Sequence, residues 1–133
     1  MERRILFVED DANFRKVFTH MLREALAPEQ LDVAFVEAGS AAEACARLRE
    51  GGLDAALIDI TLPDGSGLDL VGEINDGGPG NRIPTLVLTA NLEPSVAGRA
   101  IEAGARGALS KVVSVPETVE AIKRPTKPGR SEA

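Results

Sequence analysis

Apolar and polar residues alternate along the chain with two periods, one typical of strands and the other of helices. Short apolar runs, each bounded by turn-forming or charged residues, predict five buried strands at residues 5–8, 31–38, 55–58, 83–88 and 107–110. After each run, apolar residues recur at helical spacing and predict helices near residues 11–25, 40–50, 68–74, 94–104 and 115–122. Because each parallel crossover needs a helix, this alternation predicts one α/β domain, a parallel sheet with helices on both faces.

The composition is that of one globular domain. The chain has 133 residues, of which 44% are hydrophobic and 27% are charged, so neither disorder nor a fibrous architecture is indicated. The net charge is −6, and no long basic stripe accompanies it. Since phosphate contacts dominate binding to nucleic acids, we expect no direct nucleic-acid binding by this domain.

Two further features narrow the function classes. No run approaches the roughly eighteen apolar residues of a membrane span, and the charged start MERRILFVEDD does not suit a signal peptide. We therefore expect a cytoplasmic protein without membrane contact. The single cysteine, Cys45, excludes an intramolecular disulfide and a cysteine-based metal cluster, and its helical spacing with Ala41, Ala44 and Leu48 predicts core packing.

Polar residues whose side chains could take part in catalysis or metal binding follow four of the predicted strands. Asp59 ends the third strand, and alone it suits turn capping as well as chemistry. The carboxyl ends of parallel strands share one edge of the sheet, where ligands bind in open α/β folds. That edge should collect Glu9, Asp10, Asp11, Asp59, Thr89 and Lys111. Solvent-exposed loops would account for a polar residue at any one of these strand ends. They account less well for polar residues at four strand ends together.

This set of side chains indicates a metal-assisted phosphoryl site. Carboxylates placed together repel one another unless a cation joins them, and oxygen ligands favour Mg2+ over zinc. The ammonium of Lys111 and the hydroxyl of Thr89 suit a carboxylate that becomes phosphorylated, because both can stabilise phosphoryl oxygens. Asp59 is the candidate acceptor.

The chain resembles a response regulator receiver domain, the phosphoacceptor module of two-component signalling. The resemblance covers roughly residues 1–124 and is carried, in order, by ILFVEDD, ALIDITLPDGSGLDL, IPTLVLTA and AGARGALSK. It implies a flavodoxin-like (βα)5 fold with five parallel strands in the order 2-1-3-4-5. Residues 125–133 are polar and contain proline, so we expect a flexible tail or the start of a linker.

The resemblance also implies a role for each residue of the metal site. Asp10 would be a direct Mg2+ ligand and Glu9 would act through water. Asp59 and the backbone carbonyl of Thr61 would complete the protein ligands. Asp11 would be an accessory acid that caps the first helix.

The implied chemistry centres on Asp59. This residue would accept a phosphoryl group from a phosphohistidine on a sensor histidine kinase or a phosphotransfer protein, while Thr89 moves toward the phosphoryl group and Lys111 pairs with it. The resemblance thus implies self-catalysed phosphotransfer and autodephosphorylation rather than an enzyme with a separate substrate. The signal would pass to an unknown protein through the face made by the fourth helix, fifth strand and fifth helix, including residues 96–106 and 117–123, and a homodimer is one possible form.

Two positions depart from the family pattern. Ala108 stands where the family usually has an aromatic residue in the fifth strand, so a switch based on an inward-turning ring cannot operate. Val112 follows Lys111 where the family usually has proline. Both departures leave phosphorylation intact and concern how the phosphorylated state is communicated.

Three alternatives stay open at the level of sequence. Haloacid-dehalogenase-like phosphatases also place a nucleophilic Asp after an apolar strand, but they take their metal-binding acids from later in the chain, whereas Glu9 and Asp10 precede Asp59. A receiver-like module that has lost phosphorylation would be expected to lack some of these residues. The chain could also be the N-terminal receiver fragment of a longer transcriptional regulator.

Overall fold

The computed structural model describes residues 2–76, 83–111 and 115–123. The main sheet formed by these residues contains five parallel strands, in the spatial order β2-β1-β3-β4-β5. The strands are β1 (Glu2–Val8), β2 (Asp32–Ala38), β3 (Ala55–Asp59), β4 (Thr85–Thr89) and β5 (Gly107–Ser110). The predicted fold class and strand order are confirmed.

Five helices in the described ranges connect or flank these strands, as the alternation predicted. They are α1 (Ala12–Leu26), α2 (Ala41–Glu50), α3 (Gly67–Asn75), α4 (Pro94–Ala103) and α5 (Val115–Lys123), with a short 3-10 turn at Ala27–Glu29. None of the helices in the described ranges is long and apolar enough to cross a bilayer. The predicted tail at 125–133 and Val112 lie outside the described residues.

Two local differences from the sequence prediction concern strand structure. β1 begins at Glu2, three residues earlier than predicted, because the polar segment Glu2–Arg4 pairs in register with the start of β2. In the loop after β3, Thr61–Leu62 pairs with Gly65–Ser66 in a small antiparallel ladder. Apolar periodicity carries no signal for either, since backbone pairing forms them.

The sheet buries side chains on both faces, in two hydrophobic clusters. Alternate residues of one strand point to opposite faces, so Leu6 and Val8 join one cluster while Ile5 and Phe7 join the other. The first cluster packs against α2, α3 and α4, and the second packs against α1 and α5. All four phenylalanines of the chain belong to the second cluster or pack against it: Phe7, Phe14, Phe18 and Phe35.

Side-chain caps fix where the helices begin beside the strand ends. The Asp11 carboxylate accepts the backbone N–H of Phe14 at 3.1 Å, which confirms its expected capping of α1. Ser40 caps α2 in the same way. Ser66 caps α3 immediately after the loop that follows Asp59. The connections from β1, β2 and β3 are therefore anchored at this edge of the sheet.

Candidate functional site at the carboxyl edge of the sheet

The structure brings the sequence-predicted acids together. One carboxylate oxygen each from Glu9, Asp10 and Asp59 lie within 4.8 Å of one another. Glu9 and Asp59 are buried, whereas Asp10 is exposed. Beside them is an open cleft lined by Asp10, Asp59, Thr61, Leu62, Pro63, Thr89, Ala90, Asn91 and Lys111.

Asp59 is held at both oxygens. It is the last residue of β3, a strand bonded on both sides, and it is only 4% exposed. Its Oδ1 accepts the backbone N–H of Thr61 at 3.1 Å, and its Oδ2 accepts a hydrogen bond from Nζ of Lys111 at 3.1 Å. The carboxylate is thus oriented by its own loop and by the end of β5, while it borders the cleft.

Lys111 bridges two carboxylates. Its Nζ lies 2.7 Å from Oε1 of Glu9 and 3.1 Å from Oδ2 of Asp59, and 5.0 Å from the centre of the Phe14 ring. Burial alone would lower the pKa of Lys111, but its hydrogen bonds to Glu9 and Asp59 outweigh burial and raise that pKa. The ammonium is therefore charged at neutral pH and neutralises part of the acidic cluster.

Glu9 and Asp10 leave β1 in different environments. Glu9 is 1% exposed, and its Oε2 accepts the backbone N–H of Asp11 at 3.0 Å. Burial raises the pKa of Glu9, an effect that Lys111 and the Asp11 N–H only partly offset. The Asp10 carboxylate has no hydrogen bond to any residue in the described ranges and lines the cleft.

Thr89 and Asn91 form the β4 side of the cleft. Thr89 ends β4, as predicted, and its Oγ1 accepts the backbone N–H of Asn91 at 3.2 Å. The Thr89 hydroxyl proton is free for another acceptor, because this bond uses only an oxygen lone pair. Sequence reasoning did not single out Asn91. Its position two residues beyond a strand-end hydroxyl was the signal that could have identified it.

Gly67 allows the loop to pass close to β3. Its N–H donates to the carbonyl of Ile60 at 2.8 Å. A Cβ atom on Gly67 would lie 2.1 Å from the carbonyl oxygen of Asp59, so only glycine fits without moving the backbone of Asp59. The turn-forming residues of segment 63–67 mark a loop, but they carry no signal of this contact.

Asp64 fastens the same loop to the start of α2. Its two carboxylate oxygens accept the backbone N–H groups of Ala41 and Ala42 at 2.8 and 3.0 Å. These bonds lower the pKa of Asp64. The first turn of α2 therefore has a second cap, supplied by the loop that follows Asp59.

The donor set fits a hard divalent cation. The three clustered acids offer only oxygen atoms, which match the ligand preference of Mg2+. Three carboxylates beside one ammonium leave an excess of negative charge, which a cation would offset. Thr61 lines the same cleft.

The chain matches a known protein family along most of its length. The family model described as the response regulator receiver domain matches residues 5–123. The chain is 35% identical over 118 residues to the transcriptional regulatory protein UhpA of Salmonella typhimurium, which covers 89% of this chain and 56% of the relative. It is also 35% identical over 123 residues to the phosphate regulon transcriptional regulatory protein PhoB of Escherichia coli, at 92% and 51% coverage. The chain thus spans about half the length of these curated relatives.

Solved structures share the fold along nearly the whole chain. A putative response regulator from Chloroflexus aurantiacus has a TM-score of 0.78 at 28% identity, with 92% of this chain and 96% of that chain covered. A CheY-like response regulator receiver domain protein from Methanospirillum hungatei has a TM-score of 0.74 at 27% identity, with 92% of each chain covered.

Proposed function

Because this chain belongs to the response regulator receiver domain family, whose model it matches from residue 5 to residue 123, we propose that Asp59 is its phosphoacceptor. One observation carries the proposal. The Asp59 carboxylate ends a central strand, borders an open cleft, and lies against both the acidic pair and the Lys111 ammonium. A nucleophilic carboxylate needs this combination of access and nearby positive charge.

The proposed reaction transfers one phosphoryl group. An oxygen of the Asp59 carboxylate attacks the phosphorus of a phosphohistidine on a sensor histidine kinase or a phosphotransfer protein. The new P–O bond forms as the P–N bond breaks, and the released electron pair goes to the imidazole nitrogen of the donor, which takes up a proton. Lys111 pairs with a phosphoryl oxygen, and the hydroxyl of Thr89 donates to another.

A magnesium site accompanies this chemistry in the proposal. Glu9, Asp10, Asp59 and the backbone carbonyl of Thr61 would hold the ion, with Asp10 as a direct ligand and Glu9 acting through water. When bound, Mg2+ supplies charge neutralisation at the phosphoryl oxygens. The buried Glu9 supports this arrangement, because burial raises its pKa and a cation beside it would favour the charged carboxylate. Autodephosphorylation by water would use the same residues.

Phosphorylation can be tested by intact mass after incubation with MgCl2 and acetyl phosphate. We expect one phosphoryl adduct on the wild type, none on Asp59→Asn, and none when the metal is chelated. Asp69→Asn, an exposed acid on the neighbouring helix, is the matched control and should keep the adduct. An unmodified wild type, or an adduct that persists in Asp59→Asn, would refute the assignment.

The output surface in this proposal is the face of α4, β5 and α5, including residues 96–106 and 117–123. Ala108 in β5 packs with the aliphatic cluster of α2, α3 and α4, so the change there would not involve a ring. Amide exchange of the free and beryllofluoride-bound protein tests this surface. Equal protection of both segments in the two states would count against it.

The domain boundaries and the cellular context belong to the same proposal. We place the receiver module at residues 1–124 and a tail or linker at 125–133, in a cytoplasmic protein that forms a homodimer or acts through another protein. A second candidate is the receiver part of a longer transcriptional regulator. It is favoured by the relatives named as transcriptional regulators, of whose length this chain covers 56% and 51%. Genomic sequence beyond codon 133 distinguishes the two.

A further inference from the structure

Arg15 joins three segments beside the acidic cluster. It lies in the first turn and a half of α1, and its guanidinium Nη1 donates to the backbone carbonyl of Glu9. Its Nε donates to Oε1 of Glu37 near the end of β2, at 2.8 Å. The Arg15 side chain is only 18% exposed, so these bonds form in a partly desolvated setting. One side chain therefore connects α1, the end of β1 and the end of β2.

The bond to Glu9 acts on the peptide unit that leads into Asp10. The N–H of Glu9 already donates to the carbonyl of Ala38 at 2.9 Å, so with Arg15 both backbone groups of Glu9 are held. The carbonyl of Glu9 and the N–H of Asp10 share one planar peptide group. Fixing that carbonyl consequently fixes the orientation of the peptide plane between Glu9 and Asp10.

Asp10 depends on this plane because its own side chain is not restrained by hydrogen bonds within the described residues. By contrast, Glu9 is held by Lys111 and by the Asp11 N–H, and Asp59 is held by Lys111 and the Thr61 N–H. Asp10 is the exposed member of the three acids. The position of the Asp10 carboxylate is therefore set by the orientation of its backbone.

We propose that Arg15, anchored by Glu37, is a positioning residue of the cation site, which orients the Glu9–Asp10 peptide so that the Asp10 carboxylate faces Glu9 and Asp59. The inference rests on the proposed function, since it concerns the site assigned there to Mg2+. Groups that orient metal ligands typically change metal affinity about 10-fold to 100-fold when they are removed. Arginine suits the task because its planar fork serves two acceptors, which lysine does not reproduce.

Charge and geometry make opposite predictions for Arg15. A positive charge near the site repels Mg2+, so on electrostatic grounds Arg15→Met should tighten Mg2+ binding, and Arg15→Lys should leave it unchanged. If Arg15 positions Asp10, both variants should weaken Mg2+ binding. Two results therefore separate the explanations. One is whether Arg15→Met tightens or weakens Mg2+ binding, and the other is whether Arg15→Lys changes Mg2+ binding at all.

The experiment is a titration of the full chain with MgCl2, followed by the backbone amide resonances of Asp10 and Asp11. We expect Arg15→Lys to weaken Mg2+ binding about 10-fold, and Arg15→Met to weaken it at least as much. Arg23→Lys is the matched control, because Arg23 is also on α1 and its guanidinium lies over the Phe35 ring, 5.1 Å from the ring centre. Its Mg2+ affinity should equal that of the wild type.

The possible results are decisive. Equal affinity of Arg15→Lys and the wild type, or tighter binding by Arg15→Met, would overturn the positioning role. Circular dichroism checks that each variant is folded. If neither Arg15 variant folds, Glu37→Asp replaces them, because it shortens the anchor without changing the charge, with Glu24→Asp as the exposed control on α1; affinity reduced only in Glu37→Asp supports the role, and equal affinities refute it. A wild type without saturable shifts would instead refute the proposed cation site itself.

Discussion

Replacing Gly67 by alanine adds one methyl group directly beneath the proposed phosphoacceptor. The new Cβ would lie 2.1 Å from the carbonyl oxygen of Asp59, 2.9 Å from its carbonyl carbon and 3.0 Å from Cγ2 of Ile58. The two nearest atoms belong to the backbone, so no rotamer change can relieve the overlap. Either the end of β3 or the start of α3 has to move.

The required movement is large for a packed interior. Cβ atoms essentially never approach other heavy atoms within 3.0 Å, so the two segments must separate by about 0.9 Å. β3 is bonded on both sides, and the N–H of Ile60 also donates to the carbonyl of Leu88 at 3.0 Å. Overpacking typically costs about 1–3 kcal/mol, and a clash with backbone on a central strand belongs at the upper end. We expect Gly67→Ala to lower the free energy of unfolding by about 3 kcal/mol.

Gly72→Ala provides a matched control on the same helix. Nothing lies within 4 Å of a Cβ atom on Gly72, so alanine there should stabilise the protein by about 0.5–1 kcal/mol through its helix propensity. Urea denaturation followed by circular dichroism measures both variants, because the chain has no Trp or Tyr for fluorescence. Equal stability of Gly67→Ala and the wild type, or a gain like that of Gly72→Ala, would show that the steric argument is wrong.

Three further predictions concern charged and nucleophilic side chains. Lys111→Met should lower the free energy of unfolding at pH 7 by about 3 kcal/mol, because it leaves the buried Glu9 carboxylate without its cation; an unchanged urea midpoint would contradict this. Asp64→Ala should be less stable than the wild type at pH 7. Since the pKa of Asp64 is lowered in the folded state, its contribution is present above the ordinary pKa and is lost as the pH falls through the lowered one, so a deficit that does not shrink as the pH falls below the ordinary pKa would be inconsistent. Burial and the nearby Glu73 raise the pKa of the Cys45 thiol, so it should react with a disulfide reagent at pH 8 more slowly than free cysteine, and Glu73→Gln should accelerate the reaction.

The sequence was sufficient for the framework of the site because that framework follows from topology. Strictly alternating strands and helices require a parallel sheet, and a parallel sheet brings its carboxyl ends to one edge. Glu9, Asp59 and Thr89 were predicted to share that edge because each follows an apolar run, and they do. The match of the receiver family model to residues 5–123 also favours this reading over the phosphatase alternative.

Contacts between a side chain and a distant backbone group were beyond such reasoning. Asp64 bonds to Ala41 across 23 positions, and Arg15 bonds to the carbonyl of Glu9 from the next element. Neither contact changes the apolar period of its segment, so hydropathy carries no trace of it. The close approach of Gly67 to Asp59 is likewise a matter of tenths of an ångström, which turn propensity does not encode.

The burial of the acids was also set by packing rather than by pattern. Glu9 and Asp10 are adjacent acids in the sequence, yet the structure encloses Glu9 at 1% exposure and leaves Asp10 at the surface. Alternation of side chains at the end of a strand sends neighbours to different sides, and the covered Glu9 carboxylate accepts the backbone N–H of Asp11. Only the assembled loop shows that one acid is enclosed and the other accessible.

Because the phenylalanine rings all lie on one side of the sheet, their NMR signals report on only one half of the protein interior. Every phenylalanine ring lies with the cluster of α1 and α5, and one of them, Phe14, has the Lys111 ammonium 5.0 Å from its centre. Ring protons and the methyl groups shifted by ring currents therefore sample one half of the interior and one edge of the cleft beside Asp59. A ligand that displaces Lys111 should alter the Phe14 resonances. A rearrangement confined to the cluster of α2, α3 and α4 should leave the phenylalanine resonances unchanged.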